Sequence, residues 1–269
     1  MSESQVAIVT GVSSGIGQAI AVSLVEQGFQ VFGTVRSAAH QLPAGVRPLV
    51  LDVRDDASVK AAIEQVIAAA GRIDVVVNNA GAALVGAAEE TELDQAQALL
   101  DVNFFGAVRV THAALPHMRA RGSGRIVFVS SVVGFLPAPF MGFYAASKHA
   151  LEGYAESLDH EIRAFGIRVA LVEPGFVRTN LDKNSVSAAS PLDAYAVARE
   201  RAATSINSGV QAGANPAEIA RVVLRAITAR SPKLRYPAGK GAGTLAMLRR
   251  LVPARTFDRS LRKQFHLDN

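Results

Sequence analysis

The chain has 269 residues, of which 49% are hydrophobic and 19% charged, which excludes a disordered chain and allows one large α/β core. It has no cysteine, which excludes disulfides and thiolate metal sites and suits a reducing, cytoplasmic setting. The net charge of +5 is confined to residues 240–269, where seven Lys or Arg face Asp258 and Asp268. A local basic tail, without zinc-finger spacing or an aromatic strand signature, argues against nucleic acid as a partner.

In chain order, a short polar start leads into the apolar run "VAIVT" (6–10), with no signal-peptide layout. A helical pattern follows over 15–28, then "VFGTV" (31–35) and "PLVLDV" (48–53). Next come a helix over 56–71, "IDVVVNN" (73–79), and one long helix from about Asp94 to Arg121. "RIVFVS" (125–130), "IRVALVE" (167–173) and "KLRYP" (233–237) complete the set. Brief, uninterrupted Val- and Ile-rich runs are how strands covered on both faces read, and their alternation with helices predicts a doubly wound parallel α/β sheet. No linker divides the chain, so a single domain over 1–269 is expected. Residues 181–215 carry no clear strand and predict a helical lid, with a variable basic tail at 240–269. No apolar run reaches the 18 residues a membrane span needs.

The first strand opens into "TGVSSGIGQAI", where Gly11, Gly15 and Gly17 allow a tight turn and a close approach of the helix start to a pyrophosphate. Asp52 in "LDV" and "NNAG" at 78–81 end the third and fourth strands, where such sheets bind ligands. Asp52 is placed to accept from an adenine amino group. The second strand ends in Val35 and Arg36 rather than the acid that would hold a ribose diol, so NADP(H) is preferred and NAD(H) is possible. Ser13 can add a hydroxyl to a phosphate site.

Further on, "SSVVG", "YAASK" and "PGFVRT" join "TGVSSGIG", "LDV", "NNAG" and "NFFG". In this order and spacing, over roughly residues 5–180, the chain resembles a single-domain short-chain dehydrogenase/reductase. The resemblance implies a Rossmann-type sheet of about seven strands and hydride exchange between a nicotinamide and an alcohol or ketone. It implies catalytic roles for Asn103, Ser131, Tyr144 and Lys148. The cofactor set it implies is Gly11, Ser13, Ser14, Gly15, Ile16, Gly17, Arg36, Asp52, Val53, Asn79, Ala80, Gly81, Pro174, Gly175, Val177 and Thr179, with Tyr144 and Lys148. Within that set, Val177 backbone groups would bind the carboxamide, and Thr179 an amide or phosphate. Asn103 would hold a water that links the lysine to solvent.

The chemistry can be checked from the residues. Tyr144 and Lys148 stand at i and i+4, one helical turn apart, and the lysine cation is expected to favour phenolate. Lowering the pKa of a tyrosine from about 10 to neutrality needs roughly 4 kcal/mol, more than an exposed pair supplies, so the charge of the oxidised cofactor has to help. Tyr236 has Lys240 four residues on, but Pro237 and Gly239 between them argue against helical facing. Ser131 lies thirteen residues before Tyr144, the spacing of the resembled family, and strand alternation turns Ser130 to the opposite face. The six histidines show no ligand spacing, so no metal is expected.

Two other readings compete. A redox-inactive dinucleotide-binding regulator would be expected to lose part of the four-residue set, and a nucleotide-sugar epimerase to carry a larger C-terminal domain. Phe135, Leu136, Phe140, Met141 and Phe143 predict an apolar substrate wall. The tail places Phe257, Leu261 and Phe265 on one helical face, expected to dock on the protein's own body rather than on a membrane surface. Homo-oligomers are common in the resembled family and are expected here.

Overall fold

In the computed structural model, which describes residues 4–179 and 186–267, the apolar runs lie side by side as a seven-stranded parallel sheet. Its strands are β1 (Val6–Val9), β2 (Gln30–Val35), β3 (Val46–Val50), β4 (Val75–Asn78), β6 (Gly124–Val129), β7 (Ile167–Pro174) and β9 (Arg235–Ala238). Their spatial order is β3-β2-β1-β4-β6-β7-β9, so the chain reverses its winding between β1 and β4. The third strand starts and stops earlier than its apolar run. β3 pairs only with β2, and the edge position tolerates Pro48, which has no N–H to donate.

Alternation along each strand divides the core into two layers. Ile8, Val76, Ile126, Phe128 and Leu171 face α2 (Asp56–Ala70), α4 (Gly106–Arg121) and α5 (Gly142–Ile162). Their neighbours Val9, Val77, Val127 and Val172 face α1 (Gly15–Glu26) and α7 (Pro216–Thr228) on the other side. Period-two alternation with both faces buried is why these strands lack the polar half of an exposed strand.

The expected long helix is broken. α3 (Leu93–Leu100) passes into a five-residue π turn, Asp101–Phe105, before α4 begins. The segment read as strandless also holds a strand: β8 (Val186–Ser187) pairs in parallel with β5 (Leu84–Val85). α6 (Ala196–Gln211) follows it; part of the expected lid, residues 180–185, lies outside the described residues. The tail forms α8 (Ala242–Leu251) and α9 (Ala254–Gln264), and Phe265 is buried beside Ala138, Met141, Ala202 and Ile206. The tail thus docks on the body of the protein. No helix among the described residues is long and apolar enough to cross a membrane.

At the edge of the sheet away from the strand C-termini, two helix ends touch. Gly122 ends α4 at φ 67°, and Gly166 precedes β7 at φ 72°. A Cβ on Gly166 would lie 2.1 Å from the Gly122 carbonyl oxygen, so only glycine fits.

Candidate active site

A cleft of about 730 Å³ opens at the strand C-termini, on both sides of the reversal between β1 and β4. Gly11, Ser13, Ser14, Gly15, Ile16 and Gly17 line it, as do Arg36, Asp52, Val53, Asn79, Ala80 and Gly81, and on the far side Tyr144, Lys148 and Thr179. A second hollow, about 910 Å³, runs along the outside of α1 toward Asn215 and Arg178, away from the candidate chemistry.

The glycine loop fits a pyrophosphate. A Cβ on Gly17 would lie 2.2 Å from the Gly11 carbonyl oxygen and 2.4 Å from Asn79 Nδ2. Ser14 precedes α1 in extended conformation without capping it, and no acid occupies the first turn, so the helix start can receive an anion. Thr10 knots this end together: its hydroxyl donates to the Val77 carbonyl and accepts from the N–H groups of Asn79 and Ala80. The Asn79 amide donates to the carbonyls of Thr10 and Gly11, at 2.8 and 3.1 Å. Asn79 thereby shapes the loop. Thr179 closes it from the other side, 3.3 Å from where a Cβ of Gly15 would stand.

Asp52 lines the cleft and has a partner within the protein. Both of its carboxylate oxygens accept from the Arg54 guanidinium, at 3.0 and 2.7 Å, and this bond holds its pKa down to about 2. Arg54 and His40 therefore join Arg36 around this end of the cleft. Sequence reading passed over Arg54, although its place two residues after Asp52 was a usable signal.

The other half of the site hangs on β6, β7 and α5. Ser131, just past the end of β6, donates to the Pro174 carbonyl at 3.3 Å, and its hydroxyl stands near enough to Tyr144 to act on the pKa of the phenol. Ser130 is buried; it lines the inner end of the cleft while its hydroxyl donates to Glu152. Gly175 donates to Ala238 at 3.0 Å, which fixes the end of β7. Val177 forms a bridge to Ala214 that uses the Phe176 carbonyl and the Arg178 N–H, not the N–H and C=O of Val177 itself.

Lys148 is buried; its Nζ donates to the Val129 carbonyl at 3.0 Å and lies 5.8 Å from the centre of the Tyr144 ring. Burial pushes the tyrosine up to about 12, with the Ser131 hydrogen bond acting against it, and pushes Lys148 down to about 8. Desolvation disfavours the charged form of each group, so it moves the tyrosine up and the lysine down. Tyr144 is consequently a phenol, a proton donor, across the neutral range.

Asn103 lies within the π turn and is buried. Its side chain accepts from Ala82 N at 2.8 Å and donates to Ala82 O and to Ser147 Oγ, each at 3.0 Å. The amide thus ties the π turn to the Ala82 backbone and to Ser147 on α5. A Cβ at Gly81 would stand 3.1 Å from Asn103 and 3.8 Å from Lys148 Nζ, so the two flank the same glycine. Tyr236, by contrast, sits in β9, where its hydroxyl accepts from Lys233 N, far from any helical pairing with Lys240.

Of the expected wall, Leu136 and Met141 are buried, while Phe135, Phe140 and Phe143 are partly exposed. Phe140 and Tyr144 pack against the cluster that holds Phe265, so the tail touches the same wall. Above it, the buried Glu90 ties the loop after β5 to the start of α6 by accepting from Ala87 N, Leu192 N and Arg199. Burial raises the Glu90 carboxyl, but those two N–H groups and the arginine outweigh it and hold the pKa below its ordinary value.

Comparison with known proteins agrees with this layout. The profile of the family described as short chain dehydrogenase matches residues 5–190. A 3-ketodihydrosphingosine reductase of Bacteroides thetaiotaomicron is 36% identical over 237 residues, covering 87% of this chain and 88% of the relative. Human 17-beta-hydroxysteroid dehydrogenase type 1 is 40% identical over 252 residues, covering 86% of this chain and 76% of the relative. Among solved structures, a short-chain dehydrogenase from Streptomyces avermitilis superposes with a TM-score of 0.84 at 35% identity, covering 99% and 97% of the two chains. A Burkholderia phymatum relative in complex with NAD (TM-score 0.78, 25% identity, 97% and 95% covered) and a metagenomic one in complex with NADP (0.67, 29%, 86% and 95%) share the fold. The chain belongs to the short-chain dehydrogenase family, oxidoreductases that act on CH–OH and C=O groups.

Proposed function

We propose that the protein is an NADP(H)-dependent carbonyl reductase or alcohol dehydrogenase of an apolar substrate. The observation that carries this reading is that Tyr144 and Lys148 line the same cleft as the glycine loop, with the Lys148 ammonium 5.8 Å from the centre of the tyrosine ring and Ser131 close by. The nicotinamide, when bound, supplies or accepts the hydride. Ser131 orients the substrate oxygen, and Tyr144 gives its proton to that oxygen during reduction or takes it back during oxidation. Lys148 holds positive charge near the phenol, and Asn103 fixes the turn that faces the lysine. The unused N–H and C=O of Val177 suit a carboxamide, and the glycine loop at the start of α1 suits a pyrophosphate.

Three observations support the finer points. Arg36, Arg54 and His40 converge on the end of the cleft where the second strand lacks an acid, which favours a 2′-phosphate over a bare ribose. The wall around Phe140, Met141 and Phe265 is apolar, and the relatives named above act on a sphingoid ketone and a steroid. The tether at Glu90 suits residues 181–215 as a lid on this wall. A homo-oligomer through the outer face of α4 and α5, where Phe105 is exposed, belongs to the same reading, as does a cytoplasmic location given the absence of cysteine.

A panel of hydrophobic ketones and alcohols, each assayed with both dinucleotides, tests the reaction. Inactivity throughout, with cofactor binding retained, would point instead to a regulator on the same fold. For the cofactor, Arg36→Ala should raise KM for NADPH by roughly 10–100-fold, the worth of a charge-assisted contact, and leave NADH kinetics near wild type. Equal losses with both dinucleotides would remove Arg36 from the phosphate site.

A further inference from the structure

Behind the cleft, Ser130 opens onto a second polar cluster that none of the roles above uses. Glu152 stands one turn beyond Lys148 on α5, and both are buried, at 2% and 5% exposure. Its Oε1 accepts from Ser130 Oγ at 2.6 Å, and its Oε2 accepts from Arg235 Nη1 at 2.5 Å. Arg235, on the last strand of the sheet, also donates to Glu173 and, through Nε and Nη2, to Glu156. The space is shaped for the carboxylate: a Cβ on Gly134 would stand 2.1 Å from Glu152 Oε1 and 2.6 Å from Ser130 Oγ.

A buried lysine with no counter-charge loses its proton, because desolvation penalises only the charged form. Burial does push Lys148 down to about 8, and the Glu152 charge is what acts against it. The charged and titratable side chains facing the lysine and this cluster are Tyr144, Glu152 and Glu156 on α5, Glu173 on β7, Arg235 on β9 and Arg250 on α8. Burial, with Glu152 beside it, pushes Glu173 up to about 7, so near neutral pH this second carboxyl is partly neutral. Glu156 is half-exposed, its side chain at 46%, and its field is screened by water. Glu152 therefore stands closest in role to the lysine, and Ser130 and Arg235 hold it there.

We propose that Glu152, held by Ser130 and Arg235 one turn along α5 from Lys148, is a positioning residue for the reaction, its buried carboxylate keeping the Lys148 ammonium charged beside Tyr144. This rests on the reading of Lys148 given above, so the test observes the lysine directly as well as turnover. Protein carrying ε-13C lysine has six such side chains, and the Lys148 signal is the one lost in Lys148→Arg. Followed against pH without cofactor, its midpoint should fall by about one pH unit or more in Glu152→Gln, which keeps the shape and one of the two accepting oxygens but removes the charge. Glu152→Asp should restore most of it, and Ser130→Ala should lower it by less. With NADPH and an active ketone, the alkaline limb of kcat/KM should move to lower pH in Glu152→Gln, because the lysine charge is lost as pH rises through its midpoint.

An unchanged midpoint in folded Glu152→Gln overturns the proposal. If that variant does not fold, an unchanged midpoint in Ser130→Ala does the same. A shifted midpoint with an unchanged pH profile of turnover also overturns it, and removes Lys148 from the proposed mechanism as well.

Discussion

Tyr144→Phe should lower kcat for ketone reduction by roughly 10²–10⁴-fold, the range a positioned general acid contributes, with dinucleotide affinity unchanged in a fluorescence titration. The phenyl ring keeps the packing against Phe140 and the tail and loses only the hydroxyl. Full turnover in this variant would overturn the mechanism. The pH dependence carries a matching sign. Burial holds the phenol up at about 12, so a proton is available for reduction throughout the neutral range. Alcohol oxidation needs the phenolate, so its rate should climb with pH above neutrality while reduction does not. Parallel pH profiles in the two directions would contradict this assignment.

Gly17→Ala should have the other large effect. The new methyl would stand 2.2 Å from the Gly11 carbonyl oxygen and 2.4 Å from the Asn79 amide, and neither is a flexible side-chain end. The Asn79 amide is itself tied to Thr10 and Gly11, so yielding means breaking the knot between β1 and β4. Overpacking of this kind costs about 1–3 kcal/mol, which for a chain of this size is several degrees in Tm. Dinucleotide binding should weaken by more than tenfold, because the loop that would approach the pyrophosphate is the one displaced. An unchanged Tm and affinity would mean that the loop relaxes freely and that its shape does not set binding.

Most strands were readable because burial on both faces leaves a short unbroken apolar run, and all six such runs entered the sheet, with the more polar "KLRYP" supplying the seventh strand. Their limits were less readable, since partners decide them: β3 ends where its pairing with β2 ends. The π turn at Asp101–Phe105 left no trace in the apolar spacing, because a single widened turn shifts the period by less than the pattern resolves. At the site, motif residues at strand ends could be placed from local spacing alone. Contacts across long separations could not. Glu152 meets Ser130 and Arg235 at separations of 22 and 83 residues, and in the sequence it is one acidic helix position among several. Phe265 joins the wall by the same route, from the far end of the chain. Arg54 was within reach, but its grip on Asp52 depends on how the turn after β3 folds.

The contact between Gly122 and Gly166 acts as a shared datum for two rulers. α5 runs from Gly142 to Ile162, about 30 Å at 1.5 Å per residue, with Tyr144 and Lys148 near one end and this contact just beyond the other. α4 is measured from the same point and carries the π turn with Asn103 at its far end. A side chain at Gly166 would push on the carbonyl that ends α4, so one methyl at this distant corner bears on the ends of both helices that carry the site.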